Sequence, residues 1–161
     1  MAIQTNYPET QAVAVAGMPA TMINGPIISR TVETAVIGFG RAVTQGATDK
    51  GVEAFGSGDT TFVGITLLDR SAAGMTVVDG QVTARTVDSF GIGESARIAP
   101  VGSGRDVWVV CASGCTAGDG VFVRPSNGDF QDSNANSAVQ IPGARWDTSA
   151  SATGLAVVRL A

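Results

Sequence analysis

RDVWVVCASGCTAGDGVFVR, residues 105–124, contains the two clearest strand patterns of the chain and the turn signals between them. Residues 107–110 are β-branched or aromatic, which suits a pleated, half-buried surface. Residues 113–120 are rich in glycine, with serine and aspartate, and such residues favour turns and positive φ. Residues 120–123 then resume the strand composition. The stretch predicts two short strands joined by a reversal of the chain, which is a β meander.

The same succession of short strand and turn recurs along most of the chain. Residues 61–68 form the strongest strand of the first half, and their apolar side chains occupy both faces, as in a strand buried on both sides. No stretch shows helical periodicity with caps at both ends. We therefore predict an all-β protein, an antiparallel barrel or sandwich of short strands with an extended N-terminal arm. Further strands are expected at residues 11–17, 27–37 (one strand or a broken pair), 41–44, 75–78, 82–87, 137–141, 144–148 and 154–160.

Glycine, proline and polar residues predict the connections. Residues 18–26 hold two prolines, residues 50–59 are punctuated by glycine, and residues 130–137 are rich in Asn and Asp, so each is expected to be a loop. GIGESA at 91–96 matches the dinucleotide pattern GxGxxA, but that site needs a following helix, which Pro100 prevents. We interpret 91–96 as a connector.

Length and composition favour one compact unit. A chain of 161 residues can bury roughly 70% of its unfolded surface without disulfides or metals. Residues 1–11 contain only Ile3 and Tyr7 as large apolar side chains and are interpreted as an extended arm. Residues 12–161 are predicted to form a β-rich domain, either undivided or as two small lobes that divide near residues 88–96.

The charge pattern disfavours two classes of partner. The net charge is −4, and the ten cationic residues are scattered singly, with Lys50 the one lysine. Phosphate-binding surfaces need clustered Lys and Arg, so neither direct nucleic-acid binding nor membrane binding is expected. The N-terminus lacks the basic and apolar regions of a signal peptide, so we expect synthesis in the cytoplasm.

Candidate catalytic groups are few. The chain has no histidine, which removes Ser-His and Cys-His nucleophiles and the commonest metal ligand. Lys50 lies in a glycine-rich connector that gives no sign of the desolvation a lysine base needs. A carboxylate pair is conceivable, but several aspartates adjoin glycine and are explained by turns: Asp59, Asp79, Asp119 and Asp129. We predict no catalytic residue, no cofactor and no metal site.

The two cysteines are interpreted as ordinary reduced thiols. Cys111 and Cys115 have a C-x3-C spacing without the further Cys or His that a zinc site requires. A redox pair is the other reading of this spacing.

Five pieces of sequence, in order, form a recognisable series. They are GFGRAV (38–43), FVGIT with DRS (62–71), VWV with AGDGVFV (107–123), IPGARWDTSA (141–150) and LAVVRL (155–160). The series resembles the structural cement, or capsid decoration, proteins of tailed bacteriophages over most of the chain. The resemblance implies a β-rich virion protein that binds the outer surface of the expanded head and clamps neighbouring major capsid proteins, without catalytic residues.

The resemblance and the residues together define the expected function. The expected partners are the major capsid protein and further copies of the chain, as a homotrimer or a dimer, on the capsid exterior. The arm residues Ile3, Tyr7 and Pro8 are the candidate capsid or subunit contacts. Two alternatives remain: a tail or baseplate β module that binds host glycans through an exposed Trp108 or Trp146, and a hydrolase with two carboxylates.

Overall fold

The computed structural model describes residues 14–69, 75–78, 81–84 and 88–161. Within these ranges the regular structure consists of strands, apart from a 3₁₀ turn at Ala135–Ser137. The all-β prediction is confirmed, while the predicted arm at residues 1–11 lies outside the described residues. The strands are β1 (Ile28–Val32), β2 (Ile37–Gly38), β3 (Ala42–Gln45), β4 (Gly51–Ala54), β5 (Phe62–Thr66), β6 (Met75–Val78), β7 (Gln81–Ala84), β8 (Ser89–Phe90), β9 (Ser95–Pro100), β10 (Asp106–Cys111), β11 (Gly120–Val123), β12 (Phe130–Gln131), β13 (Val139–Trp146) and β14 (Gly154–Arg159).

Ten of these strands form two closed barrels with the same topology. Barrel 1 has the order β1-β4-β3-β5-β9, and barrel 2 has the order β10-β12-β11-β13-β14. In each barrel the first strand pairs in parallel with the third (β1 with β4, β10 with β12), and the other neighbours are antiparallel. The chain therefore builds one five-stranded arrangement twice, and each strand of barrel 1 has a counterpart in barrel 2.

The reversal predicted between residues 107–110 and 120–123 is not a hairpin. β12 lies between β10 and β11, parallel to the first and antiparallel to the second. Residues 112–119 instead carry the chain past the position of β12, and Cys115 forms a two-hydrogen-bond bridge with Ala150 on the way. The meander prediction is wrong here because barrel closure leaves no free edge between the two strands.

Two expected loops contain the strand that closes each barrel. β4 lies inside the expected connector 50–59, and β12 inside the expected polar loop 130–137. Both strands are short and contain glycine or a polar residue, so their composition does not mark them. They hold the same topological position beside the first strand of their barrel. These loop predictions are wrong because the pairing, not the local sequence, creates the strand.

The end of the chain forms longer strands than expected. Residues 137–141 and 144–148 were predicted as separate strands, but β13 runs through both. β11 pairs with Gln140 and Arg145 on either side of a bulge, within which Gly143 takes a φ of 77°. A bulge absorbs extra residues without ending the strand, so the Pro-Gly turn signal was misleading.

The hydrophobic core has two parts. The larger cluster fills barrel 2 and continues onto the outer wall of barrel 1 through Ala42, Ile65 and Ala99, among others. The smaller cluster fills barrel 1 and includes Val43 and Ile98, the sequence neighbours of Ala42 and Ala99. Neighbouring residues of β3 and β9 therefore face different clusters. β5 contributes Ile65 to the larger cluster and packs Val63 against the smaller one, which confirms the prediction that residues 61–68 hold a strand buried on both faces.

Two small sheets lie outside the barrels. β2 pairs with β8, and the rings of Phe39 and Phe90 meet edge to face with centroids 5.0 Å apart, against the smaller cluster. β6 and β7 pair in an antiparallel manner, as the sequence predicts, while the predicted turn at residues 79–80 and the strand residues 85–87 lie outside the described residues. Both sheets interrupt barrel 1, whereas barrel 2 contains no comparable inserted sheet among the described residues.

The chain leaves barrel 1 at Pro100 and enters barrel 2 at Asp106. The changeover therefore lies at residues 101–105, after the 88–96 stretch where a division into lobes was expected. Because the larger cluster draws on both barrels, they share core residues. Whether residues 12–161 behave as one domain or two lobes stays a prediction.

Candidate functional site

Residues 14–27 form a segment that we call the N-terminal strap, and its main chain is bound to barrel 2. The N–H of Gly17 donates to the carbonyl of Trp108 (2.7 Å), and the N–H of Trp108 donates to the carbonyl of Met18 (2.9 Å). The N–H of Ala20 donates to the carbonyl of Asp106 (2.8 Å). The strand expected at 11–17 is not found at 14–17, where Gly17 turns the chain with a φ of 81°. The strap thus covers the outer edge of β10.

The strap is also bound to barrel 1. The N–H of Leu68 donates to the carbonyl of Gly17 (2.8 Å). A Cβ on Gly17 would lie 2.8 Å from the main-chain nitrogens of both Gly40 and Leu68, closer than real Cβ atoms approach. Gly17 therefore lies where the strap, barrel 1 and barrel 2 meet, and only glycine fits that position.

A buried carboxylate fixes the middle of the strap. Asp106 has a fully buried side chain, accepts two hydrogen bonds from the guanidinium of Arg159 (2.7 and 2.9 Å) and one from Oγ1 of Thr21 (2.9 Å). The Arg159 hydrogen bond is the main cause that holds the pKa of Asp106 below its usual range, against the opposing effect of burial. Farther along, Nε of Arg105 donates to the carbonyl of Gly25 (2.8 Å).

The large apolar side chains of the strap face solvent. Met22 is 98% exposed and Ile23 is 49% exposed. Nine large apolar residues are exposed among those described, and five of them lie on the strap: Val15, Met18, Met22, Ile23 and Ile27. A segment with a fixed main chain and outward apolar side chains is typical of a protein contact surface, because ordering it on binding costs little entropy. The strap is our candidate functional site.

The sequence-predicted contact residues lie elsewhere or outside the described residues. Ile3, Tyr7 and Pro8 belong to the undescribed residues 1–13, which precede the strap directly. Trp146 is completely buried in barrel 2, so it cannot line a sugar site. Trp108 is half-buried on β10 beside the strap. The glycan alternative therefore loses Trp146, and Trp108 is only partly exposed.

The cysteines occupy the barrel 2 core. Cys111 and Cys115 are both buried and both free. Burial, with a smaller contribution from neighbouring Cys111, raises the pKa of the Cys115 thiol to about 12. The thiolate is the reactive form of cysteine, so a thiol that stays protonated is a poor nucleophile. This agrees with the interpretation of the two cysteines as ordinary reduced thiols.

Two surface depressions each contain one carboxylate. One, of about 620 Å³, lies at the Cys115–Ala150 bridge and contains Asp132 as its carboxylate. The other, of about 390 Å³, lies between the barrels and contains Asp59. Each holds a single carboxylate, so neither supplies the pair that the hydrolase alternative needs.

Two further structural results bear on ligands and membranes. Among the described residues, no three His, Cys, Asp or Glu side chains cluster closely enough to hold a metal ion. In the same part of the chain, no helix has the length and apolarity needed to span a bilayer.

Sequence reasoning missed the strap as a site. Residues 18–26 were classed as a loop, which is nearly correct, since Pro19 alone makes a β bridge, to Val107. The available signal was composition, because Met18, Met22 and Ile23 are large apolar residues in a loop otherwise marked by proline, asparagine and glycine. Large apolar side chains that stay exposed in a loop are expected to contact a partner.

Comparison with known proteins gives a family and a structural relative. The family model described as "Structural cement protein (E217 gp24/Pam3 gp6)" matches residues 3–161. A chain in the structure titled "The capsid of Myoviridae Phage XM1" is similar with a TM-score of 0.71 and 18% identity, covering 99% of this chain and 98% of the other. That likeness shows a shared fold.

A second structure is less similar. A chain titled as the head fiber gp8.5 N base of bacteriophage phi29 has 13% identity and a TM-score of 0.44, too low to establish a shared fold, over 84% of this chain and 93% of the other. No curated protein matches the chain. The family match spans nearly the whole sequence, and the chain therefore belongs to the structural cement proteins of bacteriophages, a family of virion structural proteins.

Proposed function

We propose that this protein binds the outer surface of the expanded phage head and clamps neighbouring major capsid proteins together. The observation that carries the proposal is the strap, a fixed main chain that presents five exposed apolar side chains. Membership of the cement family supports a capsid protein as the partner. The match to a chain of the phage XM1 capsid structure is consistent with the same role.

The physical basis is preferential binding. A ligand that binds only the expanded shell stabilises that state in proportion to its occupancy. Each copy that bridges two or three capsid subunits gains further from effective concentration, because the second contact is intramolecular. Burial of an exposed side chain such as Met22 or Ile23 contributes about 1.5–3 kcal/mol.

The proposal includes the undescribed arm and the oligomeric state. The arm, with Ile3, Tyr7 and Pro8, lies within residues 1–13, which lead into the strap. Arm and strap are therefore proposed to act as one contact region on the capsid or a sister subunit. A homotrimer is proposed, with a dimer as the other state. The net charge of −4 without basic clusters supports a protein partner rather than nucleic acid or a membrane.

Binding to purified expanded heads tests this function. Met22→Asp changes a fully exposed side chain, so the fold should be kept while head binding weakens by about tenfold to a hundredfold. Val36→Asp is the matched control, because Val36 is 58% exposed but directly precedes β2 and does not belong to the strap. Co-sedimentation over a range of protein concentrations gives both affinities.

The arm is tested in the same assay. Deletion of residues 2–10 should reduce co-sedimentation, whereas undiminished binding would remove the arm from the contact. If Met22→Asp and Val36→Asp both bind like the unchanged protein, the strap is not the capsid contact surface.

A further inference from the structure

The two barrels can be aligned residue by residue through their parallel strand pairs. Val32 of β1 is bridged to Val52, and Cys111 of β10 is bridged to Phe130. The antiparallel partners agree, because the end of β1 meets the start of β9 as the end of β10 meets the start of β14. Counting back three residues from Val32 and Cys111 makes Ser29 the counterpart of Trp108.

The edge at Trp108 is covered by the strap. Both main-chain groups of Trp108 are paired, its N–H with Met18 and its carbonyl with Gly17, at 2.9 and 2.7 Å. Two residues earlier, the carbonyl of Asp106 accepts from Ala20. The strap therefore pairs by main-chain hydrogen bonds, with one β bridge at Pro19, along the part of β10 that β12 does not reach.

The equivalent edge of barrel 1 is open within the described residues. The N–H of Thr31 donates to the carbonyl of Lys50 on this side of β1 (2.8 Å). Alternate residues of a strand direct their main-chain groups to the same side, so the N–H and C=O of Ser29 point past the end of β4. No described residue pairs with them, and Ser29 is exposed, as is its neighbour Ile27.

An open edge of this kind accepts an extended peptide by main-chain pairing. The chain has such a peptide in AIQTNY, residues 2–7, which alternates Ile3, Thr5 and Tyr7 with Ala2, Gln4 and Asn6. Period-2 alternation with β-branched and aromatic residues on one face suits a strand, and Pro8 ends it. Each copy thus supplies one strand-like arm and one open edge.

We propose that residues 2–7 of one copy add as a strand to the Ile27–Ser29 edge of a second copy. One donor and one acceptor per copy make a head-to-tail contact, which closes into a ring when the rotation between copies allows. Gln4 and Asn6 then lie on the outer face with the exposed Ser29 side chain, and Ile3 and Tyr7 lie on the face of half-buried Ile28. This inference rests on the role of the arm in the proposed function and names its acceptor.

Self-association of the purified protein, without heads, tests the acceptor. Ser29→Pro removes the N–H that points into the open edge and breaks no hydrogen bond within the described structure. Sedimentation velocity should show the unchanged protein and the control Ser29→Ala as the same oligomer. Ser29→Pro and the deletion of residues 2–7 should both sediment as monomers with an unchanged far-UV circular dichroism spectrum. An oligomer that survives both changes, or a monomeric unchanged protein, overturns the proposal.

Crosslinking identifies the donor and does not depend on the proline variant. Ser29→Cys in one preparation and Asn6→Cys or Gln4→Cys in another are mixed and oxidised with copper phenanthroline, with the unchanged protein, whose own thiols are buried, as the control. A covalent dimer in the mixture is expected. A chain that carries both Ser29→Cys and Asn6→Cys is oxidised in parallel. If this chain crosslinks only within itself, the arm lies on its own barrel; if nothing crosslinks, the contact does not exist. Either result overturns the proposal.

The two assays separate this inference from the proposed function. If copies crosslink but Met22→Asp leaves head binding intact, the strap surface fails and the arm exchange stands. If head binding depends on Met22 but copies neither associate nor crosslink, the arm exchange fails and the capsid contact stands.

Discussion

Barrel 1 and barrel 2 have the same strand order but fill and close it differently. Barrel 2 is packed around Trp146 and holds most of the larger cluster. Barrel 1 has a smaller interior cluster, to which the added β2 and β8 contribute Ile37 and Phe90. The part of the first strand that its parallel neighbour does not reach is covered by the strap in barrel 2, whereas in barrel 1 none of the described residues pairs with it.

The difference shows that two barrels of the same topology can have different packing and different free surfaces. The outer wall of barrel 1 against barrel 2 carries Ala42 and Ala99, whose small side chains let the sheets approach closely. Barrel 2 thereby gains core residues from its neighbour, and barrel 1 is buried on both faces of β3, β5 and β9. We interpret barrel 2 as the anchor of the strap and barrel 1 as the barrel with surface left for partners.

The largest expected effect is on the barrel 2 core. Trp146→Ala should lower the free energy of unfolding by about 3–5 kcal/mol, because the side chain is completely buried and its loss leaves a cavity. Urea unfolding followed by circular dichroism measures the change. Ile92→Ala, at a side chain that is 60% exposed, is the control and should stay within about 0.5 kcal/mol. A small effect of Trp146→Ala would contradict the assignment of the shared core to barrel 2.

The strap anchor in barrel 2 should make stability depend on pH. The pKa of Asp106 is lowered in the folded state, so its contribution is present above the unfolded pKa of about 4 and is lost as pH falls through the folded value. Asp106→Asn should cost about 1.5–3 kcal/mol at pH 7.

The pH series separates this carboxylate from the others. Unfolding free energies measured from pH 7 down to pH 2 should fall less steeply for Asp106→Asn than for the unchanged protein. Asp119→Asn, at an exposed turn residue, is the control. Parallel pH profiles for Asp106→Asn and the unchanged protein would mean that the Arg159 pair does not stabilise the fold.

The contact of the strap with barrel 1 is tested at Gly17. Gly17→Ala should cost about 1–3 kcal/mol, because φ is positive and the Cβ would meet the Gly40 and Leu68 nitrogens. Gly58 has a similar φ of 93° with no atom within 4 Å of the new Cβ. Gly58→Ala therefore measures only the cost of the positive φ. Chemical denaturation of both variants gives the difference, and equal losses would show that the close approach contributes nothing.

The smallest expected effect concerns the ion pair that joins the barrels. Arg41 pairs with Asp129, at side-chain exposures of 42% and 18%, so solvent screens the interaction. A double-mutant cycle with Arg41→Ala and Asp129→Ala should give a coupling of about 0.2–1 kcal/mol. The coupling should shrink in 1 M salt. A larger, salt-insensitive value would indicate that the barrels are joined by electrostatics rather than by the shared core.

The strands predicted correctly are those with a strong local pattern. Residues 61–68, 107–110 and 154–160 are rich in β-branched residues and correspond to β5, β10 and β14. β4 and β12 were missed because Gly51 and Gln131 are poor strand markers, although both are buried in the structure. β9 was missed as well, since its first residues were interpreted as part of a connector at 91–96. The strap was taken as a loop, and its hydrogen bonds to the two barrels involve residues about 50 to 90 positions away.

The sequence by itself determined the all-β class, the strongest strands, the lack of histidine chemistry and the resemblance to cement proteins. These follow from side-chain shape, turn chemistry and composition, which act over a few residues. Only the tertiary structure decided that the strands close into two barrels of equal order, that Trp146 is a core residue, and that the strap presents its apolar side chains outward. These depend on which strand edges meet, and strand pairing joins residues whose separation along the chain leaves no local signal.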